Sequence, residues 1–192
     1  PTGMRRIGPN NVGLTVEESS NEIRVRLGTF DRGAEVTIQV PADTALKLKT
    51  VTGGNINVDG TSGEIDANNM NGDITLTNVS GAVVAHSMNG RMLVTLSQVA
   101  DKPMSFSTFN GNIDVTLPAS TRADFKMKSG RGDIFSDFDI QLKSSQPTPE
   151  ISGRDRGKYR VRFDRAMLGT INGGGPEIQF TTYNGTVTIR KK

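Results

Sequence analysis

One histidine, no cysteine and a scatter of aspartates set the limits on chemistry in this sequence. His86 stands alone, so a histidine-based triad or a multi-histidine metal site is excluded by count. Without cysteine there is neither a thiolate nucleophile nor a Cys-ligated zinc. Paired carboxylates could still hydrolyse a glycoside, one protonating the leaving group while the other acts as base or nucleophile. Asp59, Asp66, Asp73, Asp114 and Asp133 are the carboxylates to weigh for that role, and their spacing yields no convergent pair. Calcium would ask for a Gly-Gly-x-Gly-x-Asp nonapeptide, which Gly53-Gly54-Asn55-Ile56-Asn57 does not reproduce. Arg131-Gly132-Asp133 spells a cell-attachment tripeptide, but Gly132 and Asp133 are positions of an internal repeat, and the repeat accounts for them. No catalytic residue, cofactor or metal ligand is expected.

Positive charge gathers at Arg154, Arg156, Lys158, Arg160, Arg162 and Arg165. The plain reading is a solvated strand face with alternate arginines; the sharper one is contact with an anionic glycan, a lipid headgroup or nucleic acid. No aromatic residues are interleaved for base stacking, so nucleic acid is not expected as a partner. The overall balance, 23 basic against 20 acidic residues, is too even to argue for a polyanion. No run approaches the ~18 apolar residues of a transmembrane helix. The opening Pro1–Asn10 lacks the apolar core of a signal peptide; a start at Pro in place of Met is what removal of an upstream export signal would leave, and an arbitrary chain boundary would look the same.

An internal period carries these side chains. Gly-x-Ile/Val/Met recurs at Gly54, Gly63, Gly72, Gly81 and Gly90, nine residues apart, and again at Gly111, Gly132 and Gly185. The preceding residue divides the series, with Asn71, Asn89, Asn110 and Asn184 in one set and Ser62 and Ser80 in the other. The true period is therefore 18 residues, lengthening to 21, and one coil is two strands and two corners. The second and fourth residues after glycine are apolar, as in Ile56/Val58, Ile74/Leu76, Met92/Val94 and Ile113/Val115, an alternation that turns them inward. Met70, Met88, Phe109 and Tyr183 each lie two residues before an Asn-corner glycine and would align like on like in stacked coils. Asn-Gly is expected to supply the positive φ of a sharp corner.

An antiparallel sandwich has no reason to keep one corner chemistry on an 18-residue beat. The expected fold class is therefore all-β, a parallel β-helix or β-solenoid with two strands per 18–21-residue coil. Right-handed winding is expected, because a left-handed hexapeptide helix would space apolar residues by six and these are spaced by nine.

The chain reads as one domain over 1–192, with 12–50 as N-terminal strands or cap, 51–136 as regular coils, 137–176 as an insertion and 177–192 as the final coil. Ile23–Leu27 and Glu35–Val40 alternate cleanly and read as strands that begin the stack. The insertion holds a Pro/Ser-rich loop, Lys143–Pro149, the arginine-bearing strand and Gly173-Gly174-Gly175-Pro176. Val84, Leu93 and Phe135 occupy an outward position where other strands carry Asn57, Asp66, Thr75 or Asp114. Apolar groups there need a cover. The insertion is expected to pack on part of this face, which is otherwise a partner site. Charge in the closing Arg190-Lys191-Lys192 discourages edge-to-edge growth.

The run from Leu46 to Ile134 combines Gly-[Asn/Asp]-Ile strands, Met/Phe-Asn-Gly corners and a Leu117-Pro118-Ala119 break. With Ile171-Asn172-Gly173-Gly174-Gly175 leading to Tyr183-Asn184-Gly185, it resembles the adhesin-like β-solenoid domains of bacteria over about residues 12–190. That resemblance implies a module of exported or envelope-associated proteins, periplasmic or at the cell surface, without established catalytic residues. The expected function is non-catalytic, adhesin-like binding and scaffolding with an envelope glycan or protein as partner. The candidate contacts are Arg154, Arg156, Lys158, Arg160, Arg162, Val84, Leu93 and Phe135. Two other classes remain open: a carbohydrate-active β-helix enzyme, which two carboxylates ~5–10 Å apart in a groove would favour, and a self-assembling solenoid, which an uncapped terminal coil would favour.

Overall fold

A strand with every second side chain apolar needs neighbours that bury the same phase, and here most of those neighbours run parallel to it. A computed structural model describes residues 13–28, 35–51, 53–143, 148–155, 158–164 and 166–192, and the regular structure in them is all β. The chain divides into two compact units, Pro1–Gln39 and Val40–Lys192.

In the first unit β1 (Leu14–Ser19) pairs antiparallel with β2 (Glu22–Leu27). The turn residues Ser20 and Asn21 are both left-handed, at φ 53° and 62°, as a two-residue hairpin turn requires. Ile23–Leu27 is thus a strand, but it pairs inside this hairpin and does not begin the stack. Glu35–Val40 forms no strand, and its alternating Val36, Ile38 and Val40 are exposed. Alternation makes an apolar face without providing a surface to bury it. Among the described residues of the segment 12–50 expected as a cap, only β3 (Leu46–Thr50) is a strand of the stack.

The second unit is built on two sheets. One holds, in spatial order, β4 (Ile56–Asp59), β6 (Ile74–Val79), β8 (Met92–Leu96), β10 (Ile113–Leu117), β18 (Val187–Lys191) and β12 (Ile134–Ser136), all parallel. The other runs β3, β5 (Ile65–Asn71), β7 (Val83–Asn89), β9 (Met104–Asn110), β17 (Glu177–Asn184) and β11 (Ala123–Arg131), also parallel. Register sets Ile56, Ile74, Met92, Ile113, Val187 and Ile134 in one interior column. Leu48, Ala67, Ala85, Phe106, Phe180 and Met127 form another on the second sheet. Both columns belong to one hydrophobic core. Each fully buried aliphatic in it contributes roughly 1.5–3 kcal/mol of transfer free energy.

Spatial order departs from chain order at one place. The coil β17–β18 does not follow β11–β12 at the end of the stack but lies between that coil and β9–β10. The segment 177–192 is therefore last in sequence and next to last in space.

The insertion also behaves differently from expectation. β16 (Met167–Ile171) pairs antiparallel with β11, and β13 (Gln141–Lys143) pairs antiparallel with β16, so both extend the eight-stranded sheet at its end. An open strand edge carries unpaired N–H and C=O groups, and these two strands satisfy them. The outward apolar side chains stay uncovered, with Val84, Leu93 and Phe135 exposed by 49%, 36% and 57%. β14 (Thr148–Asp155) and β15 (Lys158–Asp164) form an antiparallel hairpin of their own.

Candidate functional site

The Asn-Gly corner is the most regular surface feature of the stack, and it begins with close backbone approach. A Cβ on Gly72 would collide with the Gly54 carbonyl, one on Gly90 with the Gly72 carbonyl, and one on Gly111 with the Gly90 carbonyl. Coils can approach this closely at the corner only because the side chain is missing. Three residues before each corner glycine a small polar residue points inward and donates to a neighbouring glycine carbonyl. Asn69 Nδ2 reaches Gly54 O at 2.8 Å, Ser87 Oγ reaches Gly72 O at 3.4 Å, and Thr108 Oγ1 reaches Gly90 O at 3.3 Å. Thr182 Oγ1 reaches Gly111 O at 3.1 Å and Ser129 Oγ reaches Gly185 O at 3.3 Å. This polar column was not anticipated, although the constant Asn, Ser or Thr three residues before glycine was its signal in the sequence.

The corner asparagines do not supply positive φ, which falls instead on glycines such as Gly72 and Gly111. They earn their place through an outer amide ladder. Asn89 Nδ2 donates to Asn71 Oδ1 at 2.9 Å, Asn110 to Asn89 at 2.7 Å, and Asn184 to Asn110 at 2.7 Å. Just past the glycines, Asn55 Oδ1 accepts from Asp73 N, Asp73 Oδ1 from Arg91 N, and Asn112 Oδ1 from Thr186 N, at 2.7–3.0 Å.

Beside the ladder runs an apolar row. Met70, Met88, Phe109 and Tyr183 occupy matching positions on β5, β7, β9 and β17 and are each half-exposed. Val51 extends the row at the β3 end. The Phe109 and Tyr183 rings stack at 4.9 Å with 6° between their planes, and the Arg131 guanidinium lies 5.7 Å from the Tyr183 ring centre. Gly130 occupies the matching position on β11, where a Cβ would press on the Tyr183 side chain and backbone.

The expected contact residues do not converge. Val84 lies on the outer face of the eight-stranded sheet, in a depression shared with Lys47, Glu64, Asp66 and Lys102. Leu93 and Phe135 share an outward row on the six-stranded sheet, separated by Asp114 and Thr188. Arg154 is on β14 and Lys158, Arg160 and Arg162 on β15, with Arg162 paired in register to Glu150; Arg156 lies outside the described residues.

The aspartates are also dispersed. Asp59 and Asp114 lie on the six-stranded sheet, Asp66 on the eight-stranded one, and Asp73 and Asp133 at the corner. Asp114 takes a bidentate contact from Arg190, with Nε–Oδ1 at 2.9 Å and Nη2–Oδ2 at 3.0 Å. Two other carboxylates have shifted acidity. Hydrogen bonding and charge from Lys102 hold Glu64 below its ordinary range, and hydrogen bonds from Lys143 and Thr170 do the same for Asp124. A general acid needs the opposite shift. His86 Nδ1 lies 2.9 Å from Ser107 Oγ on the next strand, an exposed rung of the outer face. Among the described residues no group of three or more His, Asp or Glu side chains could hold a metal ion.

The family model described as Toastrack DUF4097 matches residues 44–190, from just before β3 into β18. The chain belongs to the Toastrack family. The function of that family is not established, and its β-solenoid-like architecture agrees with the parallel sheets seen here. No curated protein and no solved structure matches the chain. Among the described residues of this Toastrack chain no helix is long and apolar enough to cross a membrane, a statement about helices alone.

Proposed function

We propose that this Toastrack chain is a non-catalytic, adhesin-like binding and scaffolding module that works outside the cytoplasm. In this reading a right-handed solenoid holds an envelope glycan or protein along its Asn-Gly corner. The observation that carries it is the half-exposed row Met70, Met88, Phe109 and Tyr183 beside the bonded asparagine ladder. An apolar row repeating at ~4.8 Å suits an extended partner. The backbone beneath it is held by hydrogen-bonded coils and the Phe109 and Tyr183 rings are stacked, so little backbone ordering entropy opposes binding. The basic strand β15 is a second contact for an anionic group.

The test is an array of bacterial envelope glycans and purified envelope proteins. It is probed with the unaltered chain, with Met88→Ser/Phe109→Ser, and with Arg160→Glu/Arg162→Glu. Loss of two apolar contacts is expected to weaken corner binding by more than about tenfold. If every interaction survives the corner substitutions within about twofold, or if the unaltered chain binds nothing, the reading fails. Release of reducing sugar from an arrayed glycan would favour a carbohydrate-active enzyme instead.

A further inference from the structure

The coil Glu177–Lys191 takes its place by a different route from the others. β3–β4, β5–β6, β7–β8 and β9–β10 are laid down in chain order, each on the open side of the last. β11 and β12 then land one strand interval beyond that open side. The slot left behind is filled by β17 and β18, which are hydrogen-bonded to strands on both sides.

The slot is specific for this segment. Phe180 is fully buried, stacked on Phe106 at 5.7 Å and edge-on to Phe125 at 5.5 Å. The corner is bonded on both sides, with Gly111 N donating to Asn184 O at 2.9 Å and Gly185 N donating to Arg131 O at 3.1 Å. On its N-terminal side the coil is joined to β16 by residues 172–176. Asn172, Gly173 and Gly174 are successively left-handed there, at φ 49°, 86° and 83°. Asn172 is held in that turn by its amide, which donates to Ala119 O at 3.1 Å and Thr121 O at 2.7 Å.

We propose that this slot also accepts the same coil from a second copy of the chain, giving a reciprocal dimer that exchanges residues 177–191. Every contact in the slot is kept in such a dimer and only the hinge changes, which is the condition for exchange at low cost. While the slot is empty, β9, β10, β11 and β12 each present an unpaired edge, and the first matching segment to arrive closes them. Extending 172–176 releases three left-handed residues and gives up the two Asn172 amide bonds, so the difference between closed and exchanged forms is confined to the hinge.

The chain has no cysteine, so introduced thiols report cleanly. Thr108 and Thr182 are buried register partners on β9 and β17. Full-length Thr108→Cys and Thr182→Cys chains are unfolded together in guanidinium, refolded at a series of concentrations and oxidised. A disulfide-linked heterodimer is expected, its fraction rising about tenfold for each tenfold rise in concentration while dimer is scarce. Chains refolded separately and then mixed supply the background. The double variant Thr108→Cys/Thr182→Cys, closing its own disulfide at high dilution, shows that the pair is bridgeable. If it closes while the mixed single variants never exceed background, the proposal is overturned. Light scattering on the unsubstituted chain decides independently of the variants. A dimer that grows with refolding concentration and persists on dilution supports exchange, and a monomer throughout overturns it.

Discussion

The four coils from β3 to β10 and the two made by β11–β12 and β17–β18 share a corner glycine and one inward pattern, and the amide ladder runs from β5 through β9 into β17, yet the first four stack in chain order and the last two in reverse. The repeat therefore specifies what a coil is and does not specify where it goes. The loops make the point plainly. Register equates Leu96 with Leu117 and Met104 with Phe125, so the connections Leu96-to-Met104 and Leu117-to-Phe125 are equal in length. The first crosses to the adjacent strand and the second skips one. Placement comes instead from side-chain packing, above all from Phe180 between the Phe106 and Phe125 rings.

That contrast can be broken most severely at Phe180. Phe180→Ala should lower stability by about 3–5 kcal/mol, against about 2–5 kcal/mol for Leu76→Ala in the regular coils. Guanidinium denaturation gives both values, and an unchanged midpoint for Phe180→Ala would mean that the late coil does not occupy the slot. Next comes the corner: Gly111→Ala combines left-handed strain with a collision against the Gly90 carbonyl and should cost about 2–5 kcal/mol. Gly60, where an added Cβ meets nothing within 4 Å, should lose only about 1–2 kcal/mol as Ala. Equal costs at the two glycines would remove close coil approach as the reason for the corner glycines.

Smaller effects sharpen the comparison. Asn110→Ala removes one ladder donor and one acceptor where the regular coils meet the late one, and should cost about 0.5–1.5 kcal/mol. Asn71→Ala, at the ladder's first rung, should cost less. The mildest test concerns Asp124, whose bonds from Lys143 and Thr170 tie β13 and β16 to β11. Its folded-state pKa is lowered, so the contribution is present above the unfolded carboxylate value and is lost as pH falls through the folded one. Asp124→Asn should lower the thermal midpoint slightly at neutral pH, where the ionised carboxylate holds both partners, and leave it nearly unchanged well below about pH 4, so that the acid limb of the profile flattens.

Much of this could be read from the residues. Ile56, Ile74 and Met92 do share a column, and Met70, Met88, Phe109 and Tyr183 do align like on like. These follow from period-2 and 18-residue regularities that each coil carries within itself. The skipped strand interval escaped notice because equal loop lengths cannot register it. The outward rows suggested that the insertion would lie on a face, whereas the demand of the β11 edge for hydrogen bonds drew β16 and β13 alongside it. Glu35–Val40 had the right alternation and no partner. At the candidate site the apolar row was legible, but the reason for the asparagines was not, because an Asn before Gly signals a turn as readily as it signals a ladder.

The ladder also has a sense. All three amide bonds donate toward the β5 end, so the dipoles of four side chains add along the rod instead of cancelling. Their negative pole falls at Asn184, and register brings the cationic Arg131 to that pole. The two directions of travel along this corner are electrically distinct, and a filamentous ligand laid on it would be read head from tail.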